Sequence, residues 1–347
     1  TVMLSGMVAQ AAVFPWDPTP VDLGQPGGNE TYDDIEGDPS NPDVLYTVTF
    51  NNSANSSRVY KQQLTRDADG MITGSTYVAD IAYTPGEFVK ALAVLESDVV
   101  YGSAEEYPVP GDTDGGVYRF DFNGNTLTSV ADLTGMRTDG GAAFDPEGIA
   151  IDRANSYLYV MTDDATDQDV AQYTINPDGS LTYNWIATVH AGEKNARTGS
   201  VTSDGDLLTV TGEGTTSNVW RVASDGTVSN LFGEPLTYFG DDGPRDVLLY
   251  DDCLYVADEN GMLYAYDWND GSPSATPSDS WNLRDIGIDD DLTVGGLGLT
   301  TQGELLVSIR ASGGYGCILA FNLPEPSTFL LVSLGALMLM GRRRRRA

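Results

Sequence analysis

One histidine, two cysteines and 51 acidic residues set the reactive chemistry open to this 347-residue chain. With His190 as its single histidine, the chain has no multi-histidine zinc centre and offers a serine triad only one base. His190 follows the β-rich run 181–189 and reads as a loop residue with a surface or hydrogen-bonding role. The sequence contains no Gly-Lys-Ser/Thr phosphate loop, nucleophile elbow or haem motif. Carboxylates pair at Asp33-Asp34, Asp163-Asp164, Asp241-Asp242 and Asp289-Asp290-Asp291. In so acidic a chain adjacent acids arise by chance, and they do not identify a glycosidase.

Charge narrows the partners. Eighteen basic residues oppose the 51 acids for a net charge of −33, and without the five C-terminal arginines the remainder stands near −38. Such a field repels nucleic acid and anionic lipid, and favours divalent cations, basic partners or neutral glycans. Hydrophobic residues at 41% and aromatic residues at 10% are ample for a core, so the chain is not an acidic disordered one.

The extreme C-terminus has three parts in order. Pro324, Glu325 and Pro326 come first. An apolar run follows, carrying Phe329, Leu330, Leu331, Val332, Leu334, Leu337, Met338, Leu339 and Met340. Gly341 then leads into Arg342, Arg343, Arg344, Arg345 and Arg346. As a helix the run spans roughly 20 Å, short of a ~30 Å hydrocarbon core, and snorkelling arginines make so short a span feasible. The arginines stay cytoplasmic under the positive-inside rule, which leaves the bulk of the chain outside. This arrangement resembles the PEP-CTERM sorting signal of bacterial envelope proteins. The resemblance implies an exosortase-type enzyme as partner, residence in the inner membrane before processing, and display on the surface or in the extracellular matrix of a Gram-negative-type cell.

The other end agrees. Residues 1–11 are apolar, rich in small residues and finish in the small-x-small pattern Ala9-Gln10-Ala11, which reads as a truncated signal peptide. A body of residues 12–322 then precedes the sorting and anchor segment 323–347. An oxidising compartment permits a disulfide between Cys253 and Cys317.

The body is repetitive. Segments of the Leu-Tyr-Val type recur six times, for example Val44-Leu45-Tyr46 and Tyr157-Leu158-Tyr159-Val160, each followed by a second alternating strand. Those second strands start at Val59, Val117, Val170, Val219, Leu263 and Ile318, at intervals of 58, 53, 49, 44 and 55 residues. A period near 50 in alternating apolar strands marks an all-β, six-bladed β-propeller followed by a short C-terminal transmembrane helix. Asp69-Gly70, Asn123-Gly124, Asp178-Gly179, Asp225-Gly226 and Asp270-Gly271 supply hairpin turns needing positive φ. Asp67-Ala68-Asp69-Gly70 and Asp112-Thr113-Asp114-Gly115 lack the spacing of an EF-hand loop and are read as turns too. Fourth strands are expected at residues 76–80, 126–132, 181–189 and 227–232. Blade six lacks one, and residues 12–16 are expected to supply it and close the ring.

Pro146-Glu147-Gly148-Ile149-Ala150-Ile151-Asp152, followed by Tyr157-Leu158-Tyr159-Val160, resembles the six-bladed propellers of the gluconolactonase and NHL-like class. Lactonases of that class hold one divalent metal on the channel axis. The resemblance implies Glu36, Glu147 and Asp246 as candidate ligands, with Ca2+ the ion considered. Blade four, with Thr198-Gly199-Ser200, departs from the pattern by lacking the ligand asparagine. Trp16, Trp268 and Trp281 lie near loops where they could stack on sugars.

Two functional classes follow. One is a non-enzymatic binding or matrix-associated module that engages an exopolysaccharide, another glycan or an envelope protein, and no nucleic acid. The other is a metal-dependent, lactonase-like hydrolase. A structural envelope component with calcium on its acidic loops is a third.

Overall fold

The computed structural model describes residues 14–24, 30–51, 56–83, 87–106, 115–133, 145–163, 167–191, 198–212, 217–233, 236, 243–269, 271–286, 292–311 and 315–323. They form six antiparallel sheets arranged as the blades of a closed propeller. A two-residue strand, β1 (Val21–Asp22), precedes them. Blade one holds β2 (Glu30–Gly37), β3 (Val44–Asn51), β4 (Ser56–Arg66) and β5 (Ile72–Ala82). Blade two holds β6 (Glu87–Glu96), β7 (Val99–Glu106), β8 (Gly116–Asp121) and β9 (Thr126–Asp132). Blade three holds β10 (Asp145–Asp152), β11 (Tyr157–Asp163), β12 (Asp167–Ile175) and β13 (Leu181–Ala191). Blade four holds β14 (Gly199–Val201), β15 (Leu207–Thr211), β16 (Asn218–Val222) and β17 (Val228–Asn230). Blade five holds β18 (Pro244–Tyr250), β19 (Cys253–Asp258), β20 (Met262–Asn269), β21 (Ser272–Pro273) and β22 (Asp279–Asn282). Blade six holds β23 (Leu292–Leu299), β24 (Leu305–Ala311) and β25 (Tyr315–Phe321).

Successive side chains point to opposite faces, and continuous buried runs such as residues 44–50 fill both faces of a sheet, because each blade is sandwiched between two others. The result is six separate cores, one per blade interface. Blades one and two share Tyr46, Val48, Val89 and Phe120. Blades five and six share Tyr255, Leu263, Val307 and Phe321. Each fully buried Leu or Phe contributes about 1.5–3 kcal/mol.

Polar staples cross the same interfaces. The Tyr46 hydroxyl accepts the Asp98 N–H at 2.7 Å, and Tyr101 and Tyr159 donate to the carbonyls of Gly179 and Gly205 at 2.9 and 2.8 Å. Arg66 of blade one grips the Glu304 carboxylate of blade six with both terminal nitrogens. Arg153 donates to the Val94 carbonyl, and Arg221 to the Gly271 carbonyl. Arg66, Arg153 and Arg221 thus join blade to blade, while Arg58 and Arg245 pair with acids of their own blades.

Ring closure occurs as expected in kind but at a different place. The fourth strand of blade six is β1, with Val21 opposite Ala320 and Asp22 opposite Leu319. Pro15, Pro18 and Pro20 have no N–H to give a ladder, so among the described residues pairing starts after them at Val21 and not at residues 14–16, while residues 12 and 13 of the expected strand lie outside the described residues. Trp16 instead lies buried between blades five and six, its indole N–H on the Gly303 carbonyl at 2.9 Å. It is a core residue and not a sugar platform. Trp281 packs edge-on against Phe321, and Trp268 is half-buried against the core between blades four and five. Glycines 70, 179, 226 and 271 take the positive φ expected of them, whereas in the β8–β9 turn Asn125 takes it in place of Gly124.

Candidate functional site

The innermost strands β2, β6, β10, β14, β18 and β23 surround the centre of the ring, and five of them carry a β-bulge there. The ladders skip Asp33, Lys90, Glu147, Arg245 and the pair Gly295-Gly296. A bulge adds one residue and re-aims its side chain. Asp33, Lys90, Glu147, Arg245 and Gly295, with Thr198 from blade four, enclose a void of about 10 Å³. Their charges pair. Lys90 reaches Glu147 at 3.4 Å, Arg245 reaches Glu259 at 2.6 Å, and Arg310 pairs with the buried Asp33. At this ring the channel narrows to that void, and with Arg310 and Glu259 behind it three cations stand against three anions.

One layer along the axis the chemistry changes. Asp34 and Asp246 are equivalent residues of blades one and five, each just past its bulge. Asp34 accepts the Ile35 N–H at 2.8 Å and, across the interface, the Leu92 N–H at 2.7 Å. Asp246 accepts the Val247 and Leu297 N–H groups, both at 2.7 Å. Each carboxyl therefore ties its own strand to the next blade. A β-carbon on Gly296 would run into Asp34 Oδ1, so only glycine lets the carboxyl approach here.

Asp34, Glu36 and Asp246 line a cavity of about 360 Å³, joined by Thr198, Ser200 and Arg153. Its rim includes Gly37, Asp38 and Pro39 of the β2–β3 turn and Thr300 and Thr301 of the β23–β24 turn. Burial pushes Glu36 up to about 8; Asp246 adds to the rise, and the Arg153 guanidinium opposes it. Burial likewise raises Asp246 to about 7, against the Leu297 and Val247 N–H groups, the Thr198 hydroxyl and Arg245. Asp34 is pushed up by burial and by the negative fields of Asp246 and Glu36. At neutral pH Glu36 is therefore largely a neutral acid, able to donate as well as accept a hydrogen bond.

Of the three residues singled out as metal ligands, the structure brings Glu36 and Asp246 to one cavity and places Glu147 in the adjoining ring beside Lys90. Among the described residues no group of three His, Cys, Asp or Glu is disposed to hold a metal ion. Asp34 joins Glu36 and Asp246 in place of Glu147; its sequence signal was the Asp33-Asp34 pair. Cys253 and Cys317, between which a bridge was permitted, are free thiols here. Cys317 faces Asp22 in a site whose burial pushes its thiol up to about 12, while Cys253 neighbours Tyr255. His190 is part of β13, opposite Gln168, and not in a loop beyond it. Asp67 caps its own turn, accepting the Asp69 and Met71 N–H groups at 3.0 Å. The residues of the Pro-Glu-Pro, apolar and arginine segments lie outside the described residues. Among those described, no helix is long and apolar enough to cross a membrane.

Phe321 ends β25, and the chain continues into a stretch with its own relatives. Residues 322–346 match the PEP-CTERM protein-sorting motif. The tail is a PEP-CTERM sorting signal. The motif implies export, anchoring in a membrane before sorting, and processing by an exosortase-type enzyme. No curated protein matches the chain. A protein of unknown function from Dyadobacter fermentans DSM 18053 is similar at 14% identity and a TM-score of 0.58, over 88% of this chain and 98% of that one. The PQQ-bound aldose sugar dehydrogenase of Streptomyces coelicolor is similar at 12% identity and a TM-score of 0.55, over 87% and 96%. At such identities the likeness shows the propeller fold alone.

Proposed function

We propose that this PEP-CTERM protein is a non-enzymatic binding module of the cell envelope, displayed at the surface or in the matrix. Its cavity takes a neutral, hydroxyl-rich group such as a sugar unit of an exopolysaccharide. The observation that carries the reading is how the cavity carboxyls are used. Asp34 and Asp246 each spend both oxygens on backbone N–H groups, and Glu36 keeps its proton at neutral pH. A wall of neutral acid, hydroxyl and backbone groups matches the donors and acceptors of a polyol, and the chain's negative field turns anionic polymers away.

A metal-dependent hydrolase of the lactonase type is the second reading. Glu36 and Asp246 favour it, since two carboxyls shifted to about 8 and 7 in one cavity are a feature of catalytic sites. The donor set fits a resident metal poorly, because Glu147 is engaged with Lys90 and Asp246 with two backbone N–H groups. A calcium titration run beside a lactone-hydrolysis screen and a panel of neutral oligosaccharides separates the two. Saturable oligosaccharide binding without turnover is expected. One tightly held calcium together with lactone turnover would replace the binding reading with the enzymatic one.

A further inference from the structure

The polypeptide leaves the propeller at a fixed point. β25 is antiparallel to β24, and its last residue, Phe321, sits opposite Leu305, beside the β23–β24 turn. Asn322 is buried and held from three directions. Its carbonyl accepts the Asp17 N–H at 2.8 Å, and its carboxamide accepts the Ile72 N–H at 2.7 Å and donates to the Ile72 carbonyl at 3.1 Å. The exit is therefore clamped to both the closing segment and blade one.

That exit lies on a defined end of the ring. In every blade the first and third strands run the same way, so the turns after them gather at one end. The exit shares this end, and so does the cavity rim at Gly37 to Pro39 and Thr300-Thr301. Exposed carboxylates stud it from blades one to five, among them Asp69, Glu96, Asp178, Asp204 and Asp251. Six residues, 323–328, separate Asn322 from the apolar run that starts at Phe329. Fully extended, they reach roughly 20 Å.

We infer that while the tail is uncut this turn end is the bilayer-facing surface of the propeller, and that the cavity opens only onto the gap between protein and lipid. The inference rests on the reading of the tail as a membrane anchor. A leash of roughly 20 Å fixed at the turn end cannot bring the opposite end to the lipid, because the strands interpose about another 25 Å. The carboxylates keep the surface from adhering, since they repel anionic headgroups over about 8 Å at physiological salt. Removing the tail then does two things together: it frees the protein and uncovers the cavity mouth.

The test uses the full chain reconstituted into vesicles that contain anionic lipid and a quencher lipid. A fluorophore is placed in one preparation at Asp178→Cys, on the turn end of blade three, and in another at Thr188→Cys, exposed near the opposite end of the same blade. Unmodified chain labelled in parallel corrects for reaction at Cys253 and Cys317. Blade three lies across the ring from blade six, so a propeller lying on its side would show no difference between the two labels. The expected result is at least twofold stronger quenching at position 178. The contrast should vanish, and the protein should leave the vesicles, once a protease site inserted after Ser327 is cut. Equal or reversed quenching in a chain that floats with the vesicles would overturn the orientation. A chain that fails to float before cutting would overturn the anchor reading instead, and the orientation with it.

Discussion

Around the ring of bulge residues Asp33 meets Arg310, Glu147 meets Lys90 and Glu259 meets Arg245, whereas one layer further along the channel Asp34 and Asp246 meet backbone N–H groups and Glu36 lies buried in the opposed fields of Arg153 and Asp246. Both layers bury acids at the centre of the same ring. The first removes the cost of buried charge by pairing, and the second by holding protons and borrowing backbone N–H groups. Paired groups hold their charge against one another. Protonated groups can donate a hydrogen bond, and that capacity depends on pH. In the proposed binding module the ring is the floor of the channel and the layer beyond it the surface that would meet the ligand.

Breaking the paired layer should have the largest effect. Arg310→Met leaves Asp33 buried without its cation, and the expected loss of unfolding free energy in urea titration is about 3–5 kcal/mol. Breaking the protonated layer at its backbone contacts comes next. Asp246→Ala strips the Val247 and Leu297 N–H groups of their acceptor, at a cost of about 2–4 kcal/mol by the same measurement.

The third effect depends on pH. Folded Glu36 and Asp246 keep their protons to about 8 and 7, above the ordinary carboxylate range that governs the unfolded chain. The folded state thus binds more protons across that window. Their contribution to stability is greatest at its acid end and falls as pH rises to about 8. Glu36→Gln should remove part of that fall, raising Tm by roughly 2–4 °C at pH 8.5 and leaving it nearly unchanged at pH 4. The smallest effect belongs to a pair outside both layers. Arg58→Ala, which opens the exposed pair with Asp80, should change stability by less than about 1 kcal/mol.

The fold was legible because its signals are redundant. Six strand repeats, their spacing and the Asp-Gly turns all point to blades, and one misplaced element, the closing strand, does not disturb the rest. The three prolines around Trp16 delay pairing to Val21, a local effect that the strand repeat does not carry. The site was legible only in part, because single residues decide it. One bulge residue in each of four inner strands moves its side chain to a different layer, so Glu147 aligns with Asp33, Lys90 and Arg245, and not with Asp246. Repeat grammar reveals strands, but a bulge leaves no mark in it. The pairing of Cys253 and Cys317 was open in the sequence for a related reason: compartment and strand assignment do not say where two side chains point.

Carboxyl-detected NMR of the ¹³C-labelled protein tests the central claim most directly, by following Glu36 through a pH titration with and without millimolar calcium. The account predicts a midpoint near 8 in both conditions, because the cavity holds a proton there and no ion. A midpoint that drops to the ordinary carboxylate range on saturable, one-site calcium binding would contradict it.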